Sequence, residues 1–491
     1  MHHQLQQLLT NKNQILIQII EIIAKEERWF SIQELSQEVG LVERSLQRYV
    51  LSLEDTICEF NGENQEQFVL EMRKNKGIKL LIARNASHKQ LNTYIYEQDH
   101  TFQLLIDLLF ERYESIQEYS QKRIICTYAI KQSFEKIGNF LEPVGLKASI
   151  SGFCLKGEES QVRGVIYSVT WMLYNSGEWP FYFHQLDPFK LELAVNRLFT
   201  SLHLDSNMIK VREISYILGI NILRHRRGNE VSYQGAWETY IPRSHFELNE
   251  IVETMFGDFH IYSQSEVRFM ALNLSMFSYI HEVPHLKRII IDSHKRNDSD
   301  IIRATNLFIS EFSSQICPIT PGDYDEIYLY LFRIHLFAKV YRQGDFEYCG
   351  HSFTEKIQAN FMNYYEKAGA FINRLWHMSG NDLFLEERFL IQKYFMVVSI
   401  TQLTARLETA IRIEIQTDLP LLQENRLKEW VYDQFKGQFN LAFIDSPNLQ
   451  KPDLTLTNIP MDTTDHSLLI SYPICGRDMD NIKKELSVLT S

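Results

Sequence analysis

The chain has 491 residues, is 45% hydrophobic and 23% charged, and carries 50 Lys and Arg against 62 Asp and Glu, a net charge of −12. A chain of this length divides into roughly three to five domains. The acid excess excludes a wholly basic DNA-coating protein, but not a local basic patch, because the field that matters is the one beside the phosphates.

The cysteines, Cys58, Cys126, Cys154, Cys317, Cys349 and Cys475, are too scattered for zinc-ribbon spacing or a disulfide framework. Free thiols fit a reducing cytosol. Met1–Gln14 is polar, and the apolar run Ile15–Ala24 is too short for a bilayer and carries Gln18 and Glu21. A cytoplasmic protein with no membrane partner is expected. The sequence offers no phosphate loop, metal motif or nucleophile elbow. No catalytic residue, metal or cofactor is therefore assigned, and no enzyme is expected.

In chain order, Ile15–Ala24 reads as a helix, followed by a helix-turn-helix. Its first helix opens at Ser31-Ile-Gln-Glu-Leu-Ser-Gln37, where Ser-x-x-Glu is a capping-box pattern. Gly40 supplies the left-handed residue that ends it. Leu46 and Tyr49 define the buried side of the second helix, Arg44–Leu53. Its exposed side presents Glu43, Arg44, Gln47 and Arg48, and Gln and Arg are types that read adenine and guanine edges in the major groove. Two strand-like runs follow, Phe68–Met72 and Ile78–Ala83. The residues around them, Arg73, Lys74, Lys76 and Lys79, suggest a phosphate-gripping wing. The alternative is a helical hairpin with a solvated basic loop.

The heptapeptide returns as Ser115-Ile-Gln-Glu-Tyr-Ser-Gln121, six of seven positions identical after a shift of 84 residues. The register continues through Leu41 with Ile125, Leu46 with Ile130 and Val50 with Phe134. In this poorer copy Ile124 replaces the turn glycine and Arg123 stands where Val39 is expected to be buried. Its second helix, about Thr127–Lys136, offers Tyr128, Lys131 and Gln132. A purely structural copy is the alternative.

The middle reads as helix, with stripes such as Ile214, Ile217, Leu218 and Asn221. It is doubled: Asn196-Arg-Leu-Phe199 has a counterpart in Asn306-Leu-Phe308. Glu213-Ile-Ser-Tyr-Ile-Leu, ending at Arg226-Arg-Gly-Asn229, is echoed by Glu326-Ile-Tyr-Leu-Tyr-Leu, ending at Arg342-Gln-Gly-Asp345. Glu266-Val-Arg-Phe269 is echoed by Glu386-Glu-Arg-Phe389. Beyond about residue 405 the runs Ile411–Ile415, Phe439–Ile444, Leu454–Thr457 and Leu468–Tyr472 read as strands, with helices Leu421–Phe435 and Met479–Leu489. A small α/β domain is expected there.

With these parts in order, and with Leu155-Lys-Gly-Glu-Glu-Ser-Gln-Val-Arg163 leading into an aromatic helix through Trp171, the chain resembles the Mga/AtxA family of Gram-positive regulators. The resemblance implies a mainly α multidomain protein. Residues 1–90 would be an N-terminal winged helix-turn-helix, 91–160 a second helix-turn-helix, 161–290 and 291–404 two helical phosphotransferase-system regulation domains, and 405–491 a domain like the B component of enzyme II. It implies a transcription regulator that binds double-stranded DNA, forms a homodimer or larger assembly, and is tuned by histidine phosphorylation from a phosphotransferase phosphocarrier protein. Candidate acceptors are His203, His225, His335 and His377. Asn273 stands where such domains often carry a histidine, which would reduce or relocate that control. The loop Gln416–Leu422 lacks the cysteine and glycine of an enzyme II B phosphoryl site, and Cys475 comes after the last strand. That domain is therefore expected to associate rather than carry phosphate, its apolar strands and the Trp430/Phe435 helix facing a second subunit. The alternatives are a phosphocarrier of the phosphotransferase system and an RNA-binding antiterminator.

Overall fold

The computed structural model describes residues 2–63, 67–174, 179, 186–232, 235, 237–241, 247–341, 357, 361–401, 408–444, 451–460 and 467–490. The chain is mainly helical, with a small parallel sheet toward its C-terminal end, and forms two compact units. The first is Met1–Ile302 with Leu336–Ser352, the second Arg303–His335 with Phe353–Ser491.

The first unit opens with α1 (His2–Leu8), α2 (Asn11–Ile23), α3 (Ile32–Val39) and α4 (Glu43–Glu63). α3 begins where Ser31 Oγ accepts the Glu34 N–H at 3.1 Å. Only half of the expected capping box forms, because Arg28 draws the Glu34 carboxylate away from the Ser31 amide. Gly40 ends α3 at φ 71°, and Ser36 Oγ bonds the Leu41 carbonyl across the turn. α4 runs ten residues past the expected end at Leu53, because Ile57 and Phe60 extend the buried stripe of Leu46, Val50 and Leu53. β1 (Phe68–Arg73) and β2 (Gly77–Ile82) pair antiparallel. Phe30 bridges Ile78 as a third short strand, N···O 2.8 and 2.9 Å. Gly77, at φ 96°, has to be glycine, since a Cβ there would lie 1.9 Å from the Phe30 carbonyl oxygen. The whole is a winged helix-turn-helix.

After α5 (His88–Gln98) and α6 (His100–Leu109), the second copy is α7 (Ile116–Arg123) and α8 (Thr127–Leu141). Each starts 84 residues after its counterpart. Ser115 caps α7, and Ser120 Oγ donates to the Ile125 carbonyl at 2.7 Å, as Ser36 does to Leu41. Ile124 adopts φ 55° in the glycine's place and is 92% exposed. A hairpin absent from the sequence reading follows, β3 (Lys147–Ser149) with β4 (Cys154–Lys156), so this copy is winged too. Buried Asp99 ties the copies together. Its Oδ1 accepts from the Thr101 and Phe102 amides at the start of α6. Its Oδ2 accepts from the Thr10 amide and Asn13 Nδ2 at the start of α2, at 2.7 and 3.0 Å.

The rest of the first unit is helical: α9 (Glu159–Tyr174), α10 (Pro188–Ser201), α11 (Met208–Arg226), α12 (Trp237–Tyr240), α13 (Glu247–Gly257), α14 (Gln264–Ser275) and α15 (Pro284–Arg296), then the start of α16 (Asp300–Gln315) and the end of α17 (Tyr324–Val340). The expected boundaries at 90/91, 160/161 and 290/291 fall inside the continuous helices α5, α9 and α15, and 404/405 lies outside the described residues. The Arg342–Asp345 echo and Cys349 also lie outside them.

The second unit holds the remaining parts of α16 and α17, then α18 (Met362–Ser379) and α19 (Glu387–Ile400). Its α/β part comprises β5 (Ile411–Gln416), α20 (Leu421–Phe435), β6 (Leu441–Phe443), β7 (Leu454–Thr457), β8 (Ser467–Leu469) and α21 (Gly476–Thr490). The sheet is parallel in the order β6-β5-β7-β8. Ile413, Leu456, Val431, Phe435, Ile482 and Leu486 form its own core. This corrects one expectation. The apolar strands and Phe435 are spent inside the domain, with Trp430 packed against them. The most exposed apolar residues on α20 are Leu421 and Leu422, 72% and 76% accessible, with Tyr432 less so.

Candidate nucleic-acid interface

The exposed face of α4 carries Glu43, Arg44, Gln47 and Arg48, all in solvent, while Leu46 and Val50 turn inward. On α8 the exposed residues Tyr128, Lys131 and Gln132 fall 84 positions after Arg44, Gln47 and Arg48, on the same face of an equivalent helix. Gln132 Nε2 donates to the Tyr128 hydroxyl at 2.9 Å. In the first wing Arg73, Lys74 and Lys76 are exposed around the turn, and the Arg73 and Lys76 cations lie 5.1 and 5.8 Å from the Trp29 ring. Lys79 differs. It lies within β2 and pairs with Glu27 at 3.0 Å, so its charge is already answered by an acid. The second wing aligns exposed Lys147 opposite exposed Lys156. Both were missed in the sequence because strands three residues long leave no alternation to detect.

Arg123 is the residue that made the second copy look poor. Its Nη2 reaches Asp107 Oδ2 at 2.7 Å, and Arg112 Nη1 reaches Asp107 Oδ1 at the same distance. Asp107 is fully buried on α6, so Arg123 is held by an ion pair, while Val39, expected to be buried, is only partly so.

A second charged cluster lies among α6, α9, α11 and α14. Arg163 grips Glu266 through both terminal nitrogens, at 2.5 and 2.8 Å, and also reaches Glu159, Asn221 and the Asn229 carbonyl. Arg224 holds Glu159 at 2.7–2.8 Å and Glu111 beyond α6. The Leu155–Arg163 segment thus supplies Glu159 and Arg163 to a network whose other members are over 40 residues away in sequence.

The four histidines differ sharply. His203 is exposed just beyond α10, at φ 52°. His225 is partly exposed near the end of α11, its Nδ1 3.8 Å from Glu266. His377 is exposed in the last turn of α18 against Trp376. His335 is fully buried, with Nε2 2.7 Å from the Tyr394 hydroxyl and Nδ1 2.9 Å from Thr305 Oγ1; burial pushes its pKa down to about 3. Both nitrogens are occupied and no solvent reaches them, so a phosphoryl donor has no access in this arrangement. Asn273 is buried, bonding the Phe269 carbonyl and the Tyr341 hydroxyl, a packing role. In the C-terminal loop Asp418 is held by Asn458 through its amide and its carboxylate. Among the described residues no cluster of three or more His, Cys, Asp or Glu could hold a metal, and no helix is long and apolar enough to cross a membrane.

Residues 84–169 match the family model of the Mga helix-turn-helix domain. That span covers α7, α8 and the second wing, the copy the sequence made look weaker. Three Bacillus anthracis proteins are similar to this chain. Capsule synthesis positive regulator AcpB is 23% identical over 218 residues, 44% of this chain and 43% of that protein. Capsule synthesis positive regulator AcpA is 20% identical over 221 residues, 44% and 43% of the two chains. The anthrax toxin expression trans-acting positive regulator is 23% identical over 216 residues, again 44% and 43%. Each match spans less than half the length of the relative.

Proposed function

We propose, from the premise that the chain belongs to the Mga/AtxA regulators, that it is a cytoplasmic transcription regulator binding duplex DNA through both winged helix-turn-helix units. The observation that carries this reading is the equivalence of the two exposed helix faces. After a shift of 84 residues, Arg44, Gln47 and Arg48 are answered by Tyr128, Lys131 and Gln132, each set beside a basic wing. A degenerate structural copy would also keep an exposed face polar, so the weight rests on the matched positions together with the basic wing. The relatives are named positive regulators, and activation is the sense we assign here.

The helices from α9 to α15 and from α16 to α19 serve as two phosphotransferase regulation domains. Their doubled motifs support this, and the exposed His203 and His377, with the partly exposed His225, are the acceptors. A phosphocarrier protein is the partner. Phosphorylation there adds a multiply charged group that recruits Arg or repels acids. Glu266 beside His225 makes repulsion the local outcome at that position. The α/β part resembles an enzyme II B component without its chemistry and supports self-association, with Leu421 and Leu422 as its apolar surface. Anisotropy titrations with duplex DNA, single-stranded DNA and RNA test the reading. Duplex preference supports it, and RNA preference would favour an antiterminator.

A further inference from the structure

How the two winged units stand to one another follows from the helices that lead into them. α1 precedes α2, and α5 precedes α6. Each leading helix packs on the reading helix of the other unit. α1 lies on α8, with Leu5 and Leu8 buried. α5 lies on α4, where the Tyr94 ring meets the Phe60 ring edge-on at 5.5 Å. The exchange is unequal in extent: α1 has seven residues and α5 eleven, and α5 also lies along α2.

Two repeats of one chain can follow head to tail or face each other across a two-fold axis. In a head-to-tail array α5 would pack on the unit before it, and α1, with no unit before it, would have no such partner. Here α1 finds its partner on the unit that follows, so the two contacts close a ring of two members. A closed pair is a two-fold, with the same kind of surface used on both sides. Asp99 is a second, independent sign. It stands at the cap position of α6 and accepts the amide of Thr10, the cap position of α2, at 2.7 Å. Points that meet their own equivalents lie beside a two-fold axis, so the axis passes between the starts of α2 and α6. The α5 contact at Phe60 uses the last turns of α4. The first turns of α4 and α8 stay exposed, with Arg44, Gln47 and Arg48 on one and Tyr128, Lys131 and Gln132 on the other.

We infer that a single chain docks on DNA as a built-in dimer, α4 and α8 reading two unlike half-sites in opposite orientation on one duplex. Helices related by a two-fold must read one duplex in opposite directions, at a separation of whole helical turns, roughly 10 bp each. The half-sites are unlike because the side chains differ, Arg and Lys suiting guanine and Gln suiting adenine. The inference rests on duplex binding by both winged units, and it makes a second chain unnecessary for a two-part site.

Selection of sites by the full chain from a library of random-sequence duplexes tests this. The wild type should enrich two unlike half-sites at one fixed spacing. In the graft Tyr128→Arg, Lys131→Gln, Gln132→Arg, the exposed face of α8 takes the residues of α4. The same half-site should then appear twice, inverted, at the wild-type spacing. The converse graft, Arg44→Tyr, Gln47→Lys, Arg48→Gln, should give the other half-site twice, also inverted, and replaces the first if that one fails to fold. A direct repeat in either graft, half-sites without fixed spacing, or one half-site alone overturns the inference. So does a two-part palindrome already in the wild type, which a dimer of chains using one face each would select. Enrichment of no duplex at all overturns the DNA-binding reading as well.

Discussion

Arg224 on α11 and Glu111 just beyond α6 lie 113 residues apart in sequence and meet as an ion pair. Glu111 sits at φ 48°, a left-handed conformation that a non-glycine residue holds only when its surroundings fix it. Arg224 and Asn229 supply that fixation. The pair joins the segment after α6 to α11.

The pair is largely buried, with Arg224 6% and Glu111 18% exposed. Replacing Arg224 by Met leaves the Glu111 carboxylate without a cation and Glu159 with Arg163 alone, and should cost about 3 kcal/mol. The exposed pair Arg197–Asp258 is the control, and Arg197→Ala should cost under about 1 kcal/mol. Urea denaturation measures both; equal midpoints would mean that the buried network carries no stability.

Two groups of the first unit set opposing pH limbs. Burial raises the Glu213 carboxyl to about 7, partly offset by the Tyr167 hydroxyl. Its folded pKa lies above its unfolded value, so stability present below pH 4.5 is lost as pH rises through 7. Burial lowers His294 to about 4, with Ser299 and the Tyr240 carbonyl on its two nitrogens. Its contribution is present above pH 6.5 and is lost as pH falls through 4. Glu213→Gln should therefore stabilise the chain at pH 8 by about 1–2 kcal/mol, less than the full shift because Glu213 keeps some solvent contact, and do nothing at pH 4.5. A gain of equal size at both pH values would contradict the assignment.

Phosphoryl transfer should follow exposure. Incubation with the phosphotransferase carriers and phosphoenolpyruvate should give an acid-labile label that falls when His203, His225 and His377 are replaced and persists when His335 is. Label confined to His335, or none on folded protein, would remove the carrier from the list of partners.

Ending the chain at Thr404, in a segment outside the described residues, removes an α/β domain that has its own core. Sedimentation at equal concentration should show the shortened chain shifted toward monomer. Identical masses would leave that domain without a role in association.

Much of this was legible in the sequence because local rules act over short spans. The Ser31 and Ser115 caps, the shared register and α20 over Leu421–Phe435 all appear where periodicity and capping put them. What stayed hidden depends on residues far apart or on strands too short to alternate. Nothing around Arg123 announces Asp107, nor does Arg163 announce Glu266, since such pairs exist only after the chain has folded. The second wing has three residues a side. The expected limits at 90/91, 160/161 and 290/291 fall within helices, which run through them without a change of composition.

The central claim is that both helix-turn-helix faces grip duplex DNA, and salt-dependent anisotropy on one duplex tests it most directly. Arg48→Ala on α4 should weaken specific binding by about 1–3 kcal/mol if it reads a base. Lys76→Ala in the first wing and Lys131→Ala on α8 should weaken all sequences alike and lower the salt slope by about one each. A folded chain carrying all three substitutions that still binds with unchanged affinity and slope would contradict the account.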